Sequence, residues 1–336
     1  MLSNRFVKGM VSLSIGIFFV VGLMTTSHGA EKVTVRMVAA WSKAAQFETQ
    51  QFLSFIEMIQ KEADQKYPGQ VFFDYKGASE VIPTQQQLEA LRSGLVDMIM
   101  TAASYCTSVL PELDVMSLTT MTPTEERKAG VNDYLDKLLN AKANAHFVAR
   151  LGSGELFQIF LAKPVEKIDD FKGMKIRGSP THIPFIKALG AEPVVTPPSE
   201  IYTAMERSIV AGYVQPAASI RTMGLLPVTK YMLRPGFYQP VTFVLVNLDF
   251  WKKMPDHLKN LITENMKKAE IMAMDNIKVR LQTEFAEFEK AGVKFIQLPP
   301  NDAAKFSKMA EDAMMEVVLK KAPEEGKKLK ELVTKK

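Results

Sequence analysis

The sequence predicts an α/β fold of two lobes, joined by extended hinge strands and carrying a long helix in the C-terminal half. Three observations lead there. Residues 33–101 alternate strand, helix, strand, helix, strand, the pattern of a parallel sheet flanked by helices. Residues 171–216 repeat that alternation. The segment Ala90–Asp97 also lines up with Ala204–Ala211, each a helix turning into a buried strand. Extended segments near 147–161 and 238–246 bracket the second lobe. Two crossings of that kind make a hinge with a cleft beside it. The expected division is residues 31–152 plus 241–282 for the first lobe and 153–240 plus 283–336 for the second.

The first thirty residues stand apart. Arg5 and Lys8 precede the apolar run Met10–Met24, and small residues follow up to Gly29-Ala30. This reads as a secretory signal peptide, cleaved near Gly29 or Ala30, and implies an exported protein. The run is shorter than the roughly 20 apolar residues that span a bilayer. Without Arg5 and Lys8, the 42 Lys and Arg become 40 against 37 Asp and Glu. No basic block is interleaved with aromatics, so nucleic acid is not an expected partner. Cys106 is the single cysteine. It reads as a small buried hydrophobe, and no intramolecular disulfide supports the fold.

Along the chain, Lys32–Ala40 alternates β-branched residues and reads as a strand ending at Trp41. Phe47–Tyr67 places Phe52, Phe55, Ile56 and Ile59 on one helical face, and Pro68-Gly69 ends it. Val71–Tyr75 is the next strand. Thr84 to Gln87 fits a capping box for a helix reaching Gly94, and Val96–Thr101 is a buried strand followed by Tyr105. Asn132–Leu139 is helical; Phe147–Leu151 and Phe157–Leu161 are extended.

Lys175–Arg177 is a short strand ending in a cation. Thr181 and Pro184 suit the start of a helix, and Gly190 suits its end. Pro193–Thr196 is a strand, Ser199 caps the next helix, and Ile209–Val214 is a third strand running into Gln215 and Pro216. A cation at a strand's carboxyl end, facing a helix N-terminus, is a place where open α/β sheets bind anions. Val241–Val246 is an apolar strand. Pro255–Gly292 is almost free of Gly and Pro, and as one helix would span about 55 Å. A strand at Val293–Leu298 and a helix over Asp302–Lys320 follow. The Lys/Glu-rich end from Pro323 reads as a solvated helix end.

These residues carry a resemblance. Lys172–Arg177, Leu189-Gly190-Ala191, Pro193-Val194, Ser199–Tyr202 with Ala204, Gly94–Met98 and Leu110-Pro111-Glu112 together resemble the periplasmic solute-binding subunits of TRAP transporters, of the dicarboxylate-binding type. The resemblance implies a periplasmic-binding-protein-like fold of two α/β lobes that close on a ligand. It implies a salt bridge from Arg177 to the substrate carboxylate, and delivery of the solute to TRAP membrane subunits. Sialic-acid-binding members carry a second arginine where this chain has Phe157. That departure favours a monocarboxylate with an apolar or aromatic body, and places Phe157, Trp41, Tyr105, Gln215, Phe237 and Tyr238 beside Arg177 as candidate ligand contacts. Phe157, Trp41, Tyr105 and Gln215 suit ordinary packing equally well. His182 suits either a hydrogen bond at the anion site or a helix cap. Arg150 suits either a second cation or a hinge salt bridge.

An enzyme is not expected, and neither is a cofactor. The mature chain keeps three histidines, His146, His182 and His257, far apart in sequence. It carries no G-x-S-x-G, no H-E-x-x-H and no Gly-rich phosphate loop. A binding protein serving a sensor or an ATP-driven importer is the remaining competitor, and the long helix, which the resemblance associates with TRAP systems, separates the two.

Overall fold

The computed structural model describes residues 32–334, apart from 45 and 153. The expected signal peptide lies outside the described residues. Two mixed sheets form the frame, one per lobe.

The first sheet opens with β1 (Val33–Ala39), α1 (Phe47–Lys66), β2 (Val71–Gly77), α2 (Gln87–Arg92) and β3 (Met98–Ala102). After a helical-turn segment at 111–118 come α3 (Pro123–Lys128), α4 (Val131–Ala143) and β4 (Ala145–Leu151). The second sheet collects β5 (Phe157–Leu161), β6 (Lys175–Gly178), α5 (Ile183–Ala188), β7 (Glu192–Val195), α6 (Ile201–Glu206), β8 (Gly212–Pro216) and β9 (Tyr231–Arg234). The chain then returns to the first sheet through β10 (Thr242–Asn247). It continues into α7 (Leu248–Lys253), α8 (Asp256–Lys290), β11 (Lys294–Gln297), α9 (Pro300–Lys321) and α10 (Pro323–Val333). Strand order is β2-β1-β3-β10-β4 in one sheet and β11-β9-β5-β8-β6-β7 in the other.

Register explains why a cleft forms. β1, β2 and β3 are parallel, and β10 is antiparallel to β3. In the second sheet β6, β7 and β8 are parallel, with β5 antiparallel to β8. The carboxyl ends of the parallel strands, with the starts of β5 and β10, share one rim in each sheet. The two crossing segments hold each other there: Phe157 N–H donates to the Tyr238 carbonyl at 2.9 Å, and Phe237 N–H to the Phe157 carbonyl at 3.0 Å.

Strand alternation distributes the core. Val35, Met37 and Ala39 face one cluster with Phe52, Ile56, Ile59 and the α8 residues Leu258, Ile262 and Met266. Val38 faces the opposite layer with Leu91, Leu135 and Leu245, as period 2 requires. The far end of α8 joins a second-lobe cluster instead, through Phe288, with Phe160, Ile201 and Tyr213. α8 is one continuous helix of 35 residues. Between its two anchored ends, the Arg280 guanidinium lies 5.1 Å from the Phe47 ring, and its Nε donates to the Ala218 carbonyl at 3.2 Å.

The internal echo is matched bond for bond. Gly94 N–H donates to the Leu91 carbonyl and Leu95 N–H to Ala90; Ser208 N–H donates to Met205 and Ile209 N–H to Ala204. Both are Schellman stops that turn a helix into a parallel strand.

Three expected caps are corrected. Thr84 opens a 3-10 turn and gives its hydroxyl to the Ala40 carbonyl at 3.0 Å. Ser199 sits inside another 3-10 turn without a side-chain cap bond. Ahead of α5, Ser179 takes the capping position that Thr181 was expected to hold, and Thr181 Oγ1 donates to Asp114 Oδ1 at 2.7 Å. The C-terminal segment also differs from a solvated end. α10 packs on α4 and on the 111–118 segment, burying Leu329, Leu332 and Val333. Lys142 ties it down by pairing with the buried Glu112 at 2.7 Å and with Glu325 at 3.0 Å.

Candidate ligand-binding site

The facing rims enclose a cavity in two parts. An inner pocket of about 60 Å³ is lined from the first sheet by Trp41, Glu48 and Tyr105 and from the second by Phe157, Arg177, His182 and Gln215. It communicates with an outer groove of about 590 Å³, bounded by Ser79, Gln85, Thr196 and Tyr202. Trp41, Gln46, Tyr105, Arg177, Ser179 and Pro198 border both parts.

Arg177 sits where they meet. Gly178, the last residue of β6, lets α5 pack close beside it: a Cβ there would lie 2.7 Å from Ile186 Cδ1. Arg177 as a whole is 2% exposed. Its Nε and Nη2 donate to the Thr196 carbonyl at 3.0 and 2.6 Å, and Nη1 to the Val214 carbonyl at 3.4 Å. Three of five N–H groups are used, which leaves one on Nη1 and one on Nη2. Among the described residues it forms no ion pair. Burial pulls its pKa down to about 10, with Tyr105 and Glu200 opposing, so the group stays charged at neutral pH. An unpaired cation in such a place is costly. A carboxylate bound there supplies the missing charge and two acceptors in a matching fork.

The rest of the pocket is a mixed surface. Trp41 Nε1 donates to Tyr105 Oη at 3.3 Å, with ring centroids 6.0 Å apart. Phe157 pairs across the sheet with Pro216 and stands edge-on to His182, centroids 4.4 Å apart. Gln215 Nε2 and Gln46 Nε2 both lie against Met223 Sδ, at 3.2 and 3.3 Å, so one sulfur links the two lobes. The buried Glu48 accepts from Ser219 Oγ at 3.3 Å, again across the lobes, and burial raises its pKa. Among the described residues no cluster of His, Cys, Asp and Glu is arranged to hold a metal ion.

A family model for bacterial extracellular solute-binding proteins, family 7, matches residues 42–321. The chain belongs to that family. Curated proteins similar to this family 7 protein match it in sequence, and solved ones match it in fold. A solute-binding protein of Albidiferax ferrireducens is 24% identical over 261 residues, 74% of this chain and 76% of the relative. A TRAP periplasmic solute-binding protein from Desulfovibrio salexigens, solved with orotic acid, superposes with TM-score 0.79 at 21% identity, covering 90% of this chain and 97% of its own. An extracytoplasmic solute receptor of Bordetella pertussis binding pyroglutamic acid also gives TM-score 0.79, at 18% identity, covering 90% and 100%. Further structures of similar fold hold malonate or L-gulonate. The fold is therefore the two-lobed α/β architecture of TRAP periplasmic binding proteins, and the family is extracytoplasmic. Among the described residues no helix is long and apolar enough to cross a membrane.

Within this family 7 framework, the structure brings Arg177, Phe157, Trp41, Tyr105 and Gln215 to one cavity. Phe237 and Tyr238 fall elsewhere, which corrects their expected place on the rim. Both lie behind the pocket wall in an aromatic cluster with Phe185 and Phe306, and Tyr238 Oη donates to the Ala310 carbonyl. Their β-crossing backbone supports Phe157; their rings are core. Arg150 resolves to its structural reading, a buried ion pair with Glu126 at 2.8 Å. Two wall residues escaped sequence reasoning. Gln46 precedes α1 and Glu48 lies in its first turn, and an acid at a helix start is ordinary on dipole grounds alone.

Proposed function

We propose that this chain captures a small organic acid in the periplasm and hands it to the membrane subunits of a TRAP transporter. One carboxylate sits on Nη1 and Nη2 of Arg177, and a less polar body lies against Phe157, with Trp41 and Tyr105 closing the other side. The carrying observation is Arg177 itself: a buried guanidinium on a cavity wall, with two free N–H groups and no ion pair among the described residues. Each charge-assisted bond to a carboxylate contributes about 1.5–3 kcal/mol. The two lobes move about the crossing segments near 152–157 and 235–241, and a ligand touching both rims favours the closed arrangement. Driving a 1:99 population to 99:1 takes about 5.5 kcal/mol of differential affinity, which one forked carboxylate and the burial of a small body can supply between them.

Orotic and pyroglutamic acids, bound by two solved neighbours, are compact ring acids with one carboxylate each, which suits the single anchor, though their ring carbonyls and N–H groups are polar. Malonate and L-gulonate in other neighbours make the body the point to test. A thermal-shift panel followed by calorimetry decides it. Benzoate-like or branched-chain acids should stabilise the protein, and Arg177→Ala should abolish their binding while leaving the fold intact. Stabilisation by sugar acids alone would overturn the apolar body; undiminished affinity in Arg177→Ala would remove Arg177 from its role.

A further inference from the structure

We infer that His182 is a specificity residue, donating a hydrogen bond from Nε2 to an acceptor on the body of the bound acid; this rests on the carboxylate reading of Arg177. The imidazole is 1% exposed and forms part of the inner pocket wall. Its tautomer is fixed by a backbone group. The Ser179 N–H can only donate, and it points at His182 Nδ1 at 3.1 Å; the Ser179 hydroxyl, 3.1 Å from the same nitrogen, is free to donate to it as well. Nδ1 therefore carries a lone pair, and in the neutral ring Nε2 carries the hydrogen. That Nε2 is buried and meets no hydrogen-bond partner among the described residues. An unmet buried donor costs free energy that a ligand acceptor recovers.

Position says which part of the ligand it meets. Arg177 and Ser179 border both the inner pocket and the outer groove, whereas His182 borders the inner pocket alone. It therefore stands inward of the carboxylate site, level with Phe157. Burial and the Arg177 charge push the imidazole pKa down to about 3, so it meets the ligand as a neutral donor and adds no second cation. The favoured class is an acid with an oxo, ether or ring-nitrogen acceptor close to its carboxylate, over an acid of the same shape that offers only C–H.

Two matched pairs test this by calorimetry on the mature protein: 3-methyl-2-oxobutanoate against 3-methylbutanoate, and picolinate against benzoate. The wild type should prefer the acceptor-bearing acid of at least one pair by about 10–100-fold, the range expected when a buried donor is left unpaired. His182→Phe should bring that pair to near equality, and His182→Gln, which keeps an N–H, should retain part of the preference. Equal wild-type affinities within both pairs would overturn the inference. So would a preference that survives in a folded His182→Phe, the result expected if Nε2–H merely rests on the Phe157 ring. Arg177→Ala should lose both members of each pair. If no acid binds the wild type, the carboxylate reading fails first and takes this inference with it.

Discussion

The guanidinium of Arg177 grips the carbonyl of Thr196 twice, from Nε at 3.0 Å and from Nη2 at 2.6 Å. The grip orients the plane of the fork and leaves one edge toward the cavity. A lysine has neither the plane nor the second arm. Arg177→Lys should therefore weaken binding of the cognate acid by about 100-fold or more, the loss of one or two charge-assisted bonds. Titration calorimetry measures it, and a lysine variant within threefold of wild type would show that charge alone suffices.

Glu155 sets a pH dependence. It lies buried beside Glu48, with Oε2 accepting from Ala218 N–H at 3.3 Å and Oε1 unpaired. Burial first, then Glu48, raises its pKa to about 8. An acid whose pKa rises on folding stabilises the native state in its protonated form. That contribution is full below pH 4.5 and is lost as pH climbs to about 8. Glu155→Gln, which mimics the protonated acid, should melt higher than wild type at pH 9 and show little difference near pH 4.5. Melting curves at the two values decide it; a gain of the same size at both would locate the effect elsewhere.

Ser208 stands where Gly94 stands in the other lobe. Both are left-handed, φ +54° and +76°. A residue with a Cβ is strained there, and glycine is not. Ser208→Gly should stabilise the protein by about 0.5–1 kcal/mol, and Gly94→Ala should cost about 1 kcal/mol. At Gly94 nothing lies within 4 Å of an added Cβ, so chemical denaturation of that variant reads the backbone term alone.

The C-terminal helix is part of the core. Leu329 is fully buried against the first-lobe layer. Leu329→Ala should cost about 2–5 kcal/mol, seen as a lower denaturant midpoint. A loss under 0.5 kcal/mol would return α10 to the solvated end that its composition suggests.

That last contrast shows where sequence reading stops. Periodicity made α1 and β1 legible, because an apolar stripe and an alternating strand each leave one pattern; β10 showed as an unbroken apolar run and α8 as a long stretch almost free of Gly and Pro. The paired Schellman stops were legible because the same turn chemistry occurs twice. Thr84, Thr181 and Ser199 misled because a short polar side chain before a helix can cap it or bond something distant, and the sequence does not say which. Phe237 and Tyr238 misled for a similar reason. An aromatic after a strand suits a rim or a core, and the deciding ring, Phe306, arrives from α9, far along the chain. The cation of the site was visible at Arg177. The polar wall made by Gln46 and Glu48 was not, since it exists only once the two rims meet.

α8 has one further consequence. Its 35 residues, about 52 Å of helix, are rooted in one core at Leu258–Met266 and in another at Phe288. Arg280, between the roots, touches Phe47 on one side and Ala218 on the other. A rod clamped at both ends fixes the distance between its clamps. If the lobes move as proposed, about the crossing segments, such a rod lets them tilt but opposes their drifting apart or sliding, and it holds their spacing beside Phe47 and Ala218. Under that tilt the outer groove would widen and narrow while the inner pocket beside Glu48 kept its dimensions. On the proposed function, selection by shape would then fall to the inner end of the cavity, and admission to the outer one.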